Sequence, residues 1–199
     1  MKILLLAIFI LVYISSVSAQ EKGTFTDARD GKVYKTVKIG TQTWMAENLA
    51  YKANNGCWAY NNNVENNAKK YGYLYNWEMA KNVCPSGWHL PTDAEWTTLT
   101  DYLGGDSIAG GKLKETGTTH WKYPNFDATN VSGFTALPGD HRNSNGIFGG
   151  IKEYGHWWSS TKYDTDDVWY RYIFHYYCSV IRDHGGKKEA ISVRCIKDK

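Results

Sequence analysis

The chain has 199 residues and a formal charge of +3, from 23 Lys and Arg against 20 Asp and Glu. That balance leaves no basic footprint for a nucleic acid or a membrane surface. One domain with a sizeable core is expected at this length. Nine Trp and fifteen Tyr exceed what such a core requires, and amphipathic aromatics are favoured at binding surfaces.

The opening MKILLLAIFILVYISSVSAQ sets Lys2 before an apolar run and ends in Val17-Ser18-Ala19, small residues of the kind a signal peptidase reads. Residues 1–19 are therefore expected to be a cleaved secretory signal, with an uncleaved anchor helix as the rival reading. The protein is then exported to the periplasm, the cell surface or the medium, with no stable membrane insertion after cleavage. Residues 20–23 read as a short tether and 24–199 as a single domain. Cys57, Cys84, Cys178 and Cys195 are an even number in an exported chain, so two disulfides are expected. No CxxC and no nearby His pair at ligand spacing supports a structural zinc site, and no cofactor is expected.

From Thr24, Asp30-Gly31 is a hairpin turn signal followed by a β-rich run through Ile39, and Gly40-Thr41 turns again before Thr43-Trp44-Met45. A small antiparallel meander is the simplest account. The Asn-dense residues 51–70 read as a loop. Asn76 is a candidate N-cap for a first helix carrying Trp77, Ala80 and Cys84 at helical spacing, and Pro85 ends it. Thr92-Asp93-Ala94-Glu95 fits a capping box that opens a second helix, with Trp96, Leu99 and Leu103 on one face and Gly104-Gly105 as its stop. Strands are expected at Lys112–Glu115, Gly133–Pro138, His156–Thr161, Val168–Phe174 and Ala190–Ile196. The order predicts an α+β fold, two helices flanking small antiparallel sheets.

The phrases GTQTWMAENL, CPSGWHLPTDAEW, ALPGDHRNSNG, WWSSTKY and SVRCIKD, in this order, resemble the Fibrobacter succinogenes major paralogous domain, a family of exported bacterial proteins, over about residues 24–198. The family is similar to the C-type-lectin-like fold in its formylglycine-generating-enzyme branch, where a phrase like HLPTDAEW opens a core helix. The resemblance implies that fold here. It also implies a disulfide from the end of the first helix to the last strand, Cys84 to Cys195, leaving Cys57 with Cys178.

Little in the chain points to catalysis. Asp93 and Glu95 would serve as an acid/base pair, but the capping box and the helix dipole already explain them. His156 lies near Ser159-Ser160 without a nucleophile elbow, and WWSSTKY reads as strand and packing. The oxidase chemistry of the formylglycine-generating enzymes uses closely spaced cysteines that this chain lacks, and the calcium-ligating motifs of sugar-binding lectins are missing. Asp164, Asp166 and Asp167 would gather a hard cation only with more of a calcium loop than is present, so a solvated turn is preferred and no metal is expected.

The aromatic surplus gathers between Tyr163 and His184, YDTDDVWYRYIFHYYCSVIRDH. In a two-residue period Trp169, Arg171, Ile173, His175 and Tyr177 share one face, and Val168, Tyr170, Tyr172, Phe174 and Tyr176 the other. One face is core, and the other presents aromatics and Arg, residue types that anchor interfaces and stack on sugars. The expected function is a binding module for a glycan or a surface protein, contacted through Asp164, Asp166, Asp167, Trp169, Tyr170, Arg171, Tyr172, His175, Tyr176, Tyr177 and Arg182. The alternatives are a structural or adhesin component of a surface assembly, and a degraded relative of the formylglycine-generating enzymes.

Overall fold

The computed structural model describes residues 20–199, and the expected signal, residues 1–19, lies outside the described residues. The meander forms as expected: β1 (Lys22–Thr26), β2 (Val33–Ile39) and β3 (Gln42–Met45) pair antiparallel in sequence. Lys22 and Gly23, read as tether, already pair with Val37 and Thr36. The Asn-rich stretch is more ordered than its composition suggests. It holds β4 (Cys57–Trp58), two irregular helical turns over Tyr60–Asn62 and Val64–Ala68, and a one-turn α1 (Lys69–Tyr71).

After β5 (Leu74–Asn76), the Asn76 side chain caps α2 (Trp77–Ala80) by accepting from the Met79 amide at 3.0 Å. The helix is shorter than predicted and ends before Cys84. β6 (Trp88–His89) leads into α3 (Asp93–Tyr102), whose capping box is complete: Thr92 Oγ1 accepts from the Glu95 amide at 3.2 Å, and Glu95 Oε2 accepts from the Thr92 amide at 2.8 Å.

Gly104-Gly105 does not lead into a strand. Both glycines sit at positive φ, and the chain restarts as α4 (Asp106–Leu113), so the strand predicted from Lys112 is helical through Leu113. Gly110 is required by packing, since a Cβ there would collide with the Ser179 carbonyl. The strand predicted over Gly133–Pro138 is also missing, apart from a bridge between Lys114 and Ala136. Gly133 and Thr135 both adopt positive φ, which interrupts extended backbone.

β7 (His141–Arg142), β8 (Tyr154–Lys162), β9 (Asp167–Phe174), β10 (Ile181–Gly186), β11 (Ala190–Ser192) and β12 (Ile196–Lys197) complete the chain. The predicted last strand is split between two sheets. β12 joins a five-stranded sheet in the order β1-β2-β3-β12-β6, whereas β11 lies in a seven-stranded sheet ordered β10-β9-β8-β11-β5-β4, with β7 also on β11. That second sheet is mixed, because β11 runs parallel to β8. The class is α+β, with four short helices among the described residues rather than two.

The tryptophans go largely to the interior. Trp44, Trp77, Trp96, Trp121, Trp157 and Trp158 are fully buried, and each indole N–H donates to a carbonyl or side-chain oxygen. A buried indole left unpaired would cost about 1–3 kcal/mol, so each of these bonds also fixes an orientation. Arg194 is buried between β11 and β12. Its guanidinium donates to Asn48 Oδ1 and to the carbonyls of Met45, Phe134 and Thr135, and burial lowers its pKa to about 9. Cys84 and Cys195 are bonded across 111 residues, a loop whose closure contributes about 4–5 kcal/mol in the chain-entropy model. The second expected bond is not made: Cys57 and Cys178 are free thiols. Cys178 Sγ lies against the Ser107 carbonyl at 3.2 Å, in a loop packed on α4.

Candidate functional site

The residues expected to bind a ligand part into four groups. Arg171 is a correction: it is 1 % exposed and therefore not a contact residue. Its Nη1 donates to Asp93 Oδ1 at 2.6 Å, and Arg182 donates to both Asp93 oxygens. Arg182 also lies over the Trp169 ring, 3.3 Å from its centroid. Asp93 therefore closes α3 onto β9 and β10 as well as facing the helix dipole. The two guanidiniums outweigh the effect of burial and hold its pKa below the usual carboxylate value.

The acidic residues serve the turn and its neighbour strand. Asp164 Oδ1 accepts from the amides of Asp166 and Asp167, and Asp167 Oδ2 is 2.8 Å from His184 Nδ1. His184 in turn stacks on Tyr163 with centroids 3.9 Å apart.

β9 ends at Phe174, so His175, Tyr176 and Tyr177 leave the strand and its alternation. They meet a loop from a distant part of the chain. Lys122, Tyr123, Pro124, Phe126, His175, Tyr176 and Tyr177 line one groove of about 720 Å³. Four aromatic rings stand open there: Tyr123 at 80 %, Tyr176 and Tyr177 at 57 % and Phe126 at 48 % of full exposure. Lys114, buried below, ties the two walls. Its Nζ donates to the carbonyls of Phe126 at 2.7 Å and Tyr177 at 2.9 Å, while burial lowers its pKa to about 8. At the rim Lys122 pairs with Glu153 at 2.6 Å. Tyr123 and Phe126 escaped sequence reasoning because they sit in a loop with no periodicity.

From the groove a run of aromatic contacts crosses the sheet. Tyr177 meets Phe174 at 5.6 Å, Phe174 stacks on Tyr154 at 4.5 Å, and Tyr154 stacks on His156 at 5.6 Å. Tyr170 and Tyr172 flank His156 at 5.7 and 5.4 Å, so both lie on this face and are partly buried in it. His156, expected to open a strand with no nucleophile elbow beside it, ends this run beside two further polar residues. His141 Nδ1 is 2.9 Å and His156 Nδ1 3.3 Å from the same oxygen of Asp140.

The profile of the Fibrobacter succinogenes major domain matches residues 37–197. The chain belongs to this family. No curated protein and no solved structure matches it. In this Fibrobacter succinogenes major domain, the groove and the Asp140 cluster both fall inside the matched span.

Other ionisable clusters are spent on structure. His89 bridges Asp198 at 2.6 Å and Glu95 at 3.1 Å, which uses both ring nitrogens to tie the C-terminus to the start of α3. Those acids outweigh burial and raise the His89 pKa.

Proposed function

We propose that this protein is an exported binding module of C-type-lectin-like fold that holds a glycan in the Tyr123–Tyr177 groove. The observation that carries the reading is the cluster of four open aromatic rings around a cavity of about 720 Å³. Exposed large apolar side chains gathered at one place mark interaction sites. Tyrosine suits sugars in particular, because its ring face packs on C–H groups and its hydroxyl bonds to theirs. The Lys122–Glu153 pair supplies charged donors and acceptors at the rim.

The expected secretory signal and the Cys84–Cys195 bond fit an oxidising compartment outside the cytoplasm. Kinship with the formylglycine-generating enzymes extends in this reading to the fold and not to their oxidase chemistry. Cys195 is consumed by its bond to Cys84, while Cys57 and Cys178 stand free on separate elements.

The test is retention on an array of polysaccharides by the wild-type protein and by Tyr123→Ala, Tyr176→Ala and Tyr177→Ala. Because these side chains are exposed, melting temperatures should stay close to wild type. Retention should fall at least ~10-fold in the triple variant, as expected when stacking anchors are removed. Undiminished retention by the folded triple variant, or failure of the wild type to bind any glycan, would reject the reading.

A further inference from the structure

Asp140, His141 and His156 come together because two stretches of chain run side by side. The Asp140 amide donates to the Tyr154 carbonyl at 3.0 Å, which sets the start of β7 against the start of β8. His141 is fixed by pairing of β7 with Ile191 of β11. Asp140 itself is held at φ +53°, a left-handed conformation that Asp tolerates better than most residues.

One donor atom from each of the three side chains lies within 4.8 Å of the others. Donors bound about 2.0–2.1 Å from a common ion stand roughly 3 Å apart. The separations of 2.9 and 3.3 Å from Asp140 Oδ1 to the two Nδ1 atoms match that spacing.

Hydrogen bonding inside the cluster leaves two buried atoms unserved. Asp140 is fully buried, yet its Oδ2 has no partner among the described residues. His156 Nδ1 also lacks a partner, since its approach to Oδ1 does not have hydrogen-bond geometry. Buried polar groups are nearly always satisfied, so a pair of orphans at one point calls for a missing partner. Space for it is kept by Gly149, where a Cβ would lie 2.6 Å from Asp140 Oδ2 and 2.7 Å from His141 Nδ1. The Tyr60 hydroxyl donates to the Gly149 carbonyl and holds that backbone in place.

We propose that Asp140, His141 and His156 form a binding site for a divalent first-row transition-metal ion of the Zn²⁺ type. Two imidazoles with one carboxylate suit such an ion and disfavour Ca²⁺ and Mg²⁺, which take oxygen donors. Three protein donors leave a position for water or for an oxygen of a ligand. The His141 side chain is about a third exposed, which gives the ion a way in. The site lies beyond the glycan groove and stands or falls without it.

The experiment uses the full chain, stripped with chelator and titrated with Zn²⁺ by calorimetry and with Co²⁺ by visible absorption. One equivalent should bind. Removing a second-layer group around a metal costs about 10–100-fold in affinity, so His141→Ala, which deletes a ligand, should lose at least that much together with the Co²⁺ band. His89→Ala, which removes a histidine from a different acid-flanked site, should bind as the wild type does. Gly149→Ala, which keeps every donor but fills the space beside them, should also weaken binding. Absence of stoichiometric binding by folded wild type overturns the proposal, as does full affinity in His141→Ala. Because His141 is the accessible ligand, the outcome does not depend on whether variants of buried Asp140 fold.

Discussion

Asp93 and Asp140 pose one physical problem and receive two answers. Each carboxylate is withdrawn from water and faced by two nitrogen-bearing side chains. At Asp93 these are guanidiniums, permanently charged, and both oxygens accept from them. At Asp140 they are imidazoles gathered on Oδ1, and Oδ2 accepts from nothing among the described residues. The first arrangement is nearly closed, with only the Arg171 Nε left over. The second is open at the carboxylate itself, where an added partner would bind. Saturation of its acceptors separates a structural ion cluster from a candidate site better than burial or charge does.

The difference is broken most severely at the closed cluster. Asp93→Ala leaves Arg171 buried without a counter-ion, a situation that typically costs about 3–5 kcal/mol. Urea denaturation should show that loss as a lower midpoint at unchanged slope. A loss under about 1 kcal/mol would mean that Arg171 escapes to water, and the distinction between closed and open clusters would fail.

Acid titration probes the same cluster. The depressed pKa of Asp93 gives stability that is fully present above the unfolded value near 3.9 and is lost as pH falls through the lower folded value. The stability curve of Asp93→Asn should be flatter over that range. The slope that remains belongs to the other lowered carboxylates, among them Asp27, held down by Arg29, Glu95, held down against burial by Thr92 and His89, and Asp140, held down against burial by His141 and His156. Identical acid limbs in variant and wild type would show that the guanidiniums do not stabilise the ionised carboxylate.

The open cluster should respond more weakly. Asp140→Asn keeps the shape of the side chain and disturbs the His141 hydrogen bond, an effect of about 1–2 kcal/mol without metal. Metal should widen the gap, because only the wild type gains stability from it by mass action. Thermal melts with and without Zn²⁺ measure both quantities, and equal Zn²⁺-induced shifts in the two proteins would contradict the proposed role of Asp140.

Legibility of these features follows the range over which their physics acts. Thr92 and Glu95 are three residues apart and their capping box is a local bond, so the start of α3 was readable to the residue. Asn76 and the β1–β3 meander were readable for the same reason. The partner of Asp93 lies 78 residues away on β9, beyond any pattern in the chain, so Arg171 counted as a surface candidate by alternation alone. Alternation also failed past Phe174, where the strand ends and Tyr176 and Tyr177 turn toward Tyr123. Gly110 and Gly111 let α4 approach the 178–179 and 127 backbones, contacts that no local pattern in the chain marks. For the Asp140 cluster a faint signal existed in the adjacent Asp-His pair of ALPGDHRNSNG. Nothing in the spacing joined it to His156, because the two meet through parallel pairing of β8 with β11 and antiparallel pairing of β11 with β7.

The smallest effect expected on stability falls on the residue that matters most to the open cluster. His141 has a side chain about a third exposed on a two-residue strand, and its ring packs edge-on against His156. Removing it exposes no large apolar surface, and Asp140, left without its hydrogen bond, can shed the cost of a buried charge by taking up a proton, so His141→Ala should cost about 1 kcal/mol in urea without metal. A structural histidine would show its loss in folding, as Arg171 should through Asp93→Ala, whereas a ligand shows it in binding. If His141→Ala destabilises the metal-free protein as much as Asp93→Ala does, the Asp140 cluster is a structural ion network like its counterpart. Near-wild-type stability with loss of the Co²⁺ band instead separates the two carboxylates by function as well as by geometry.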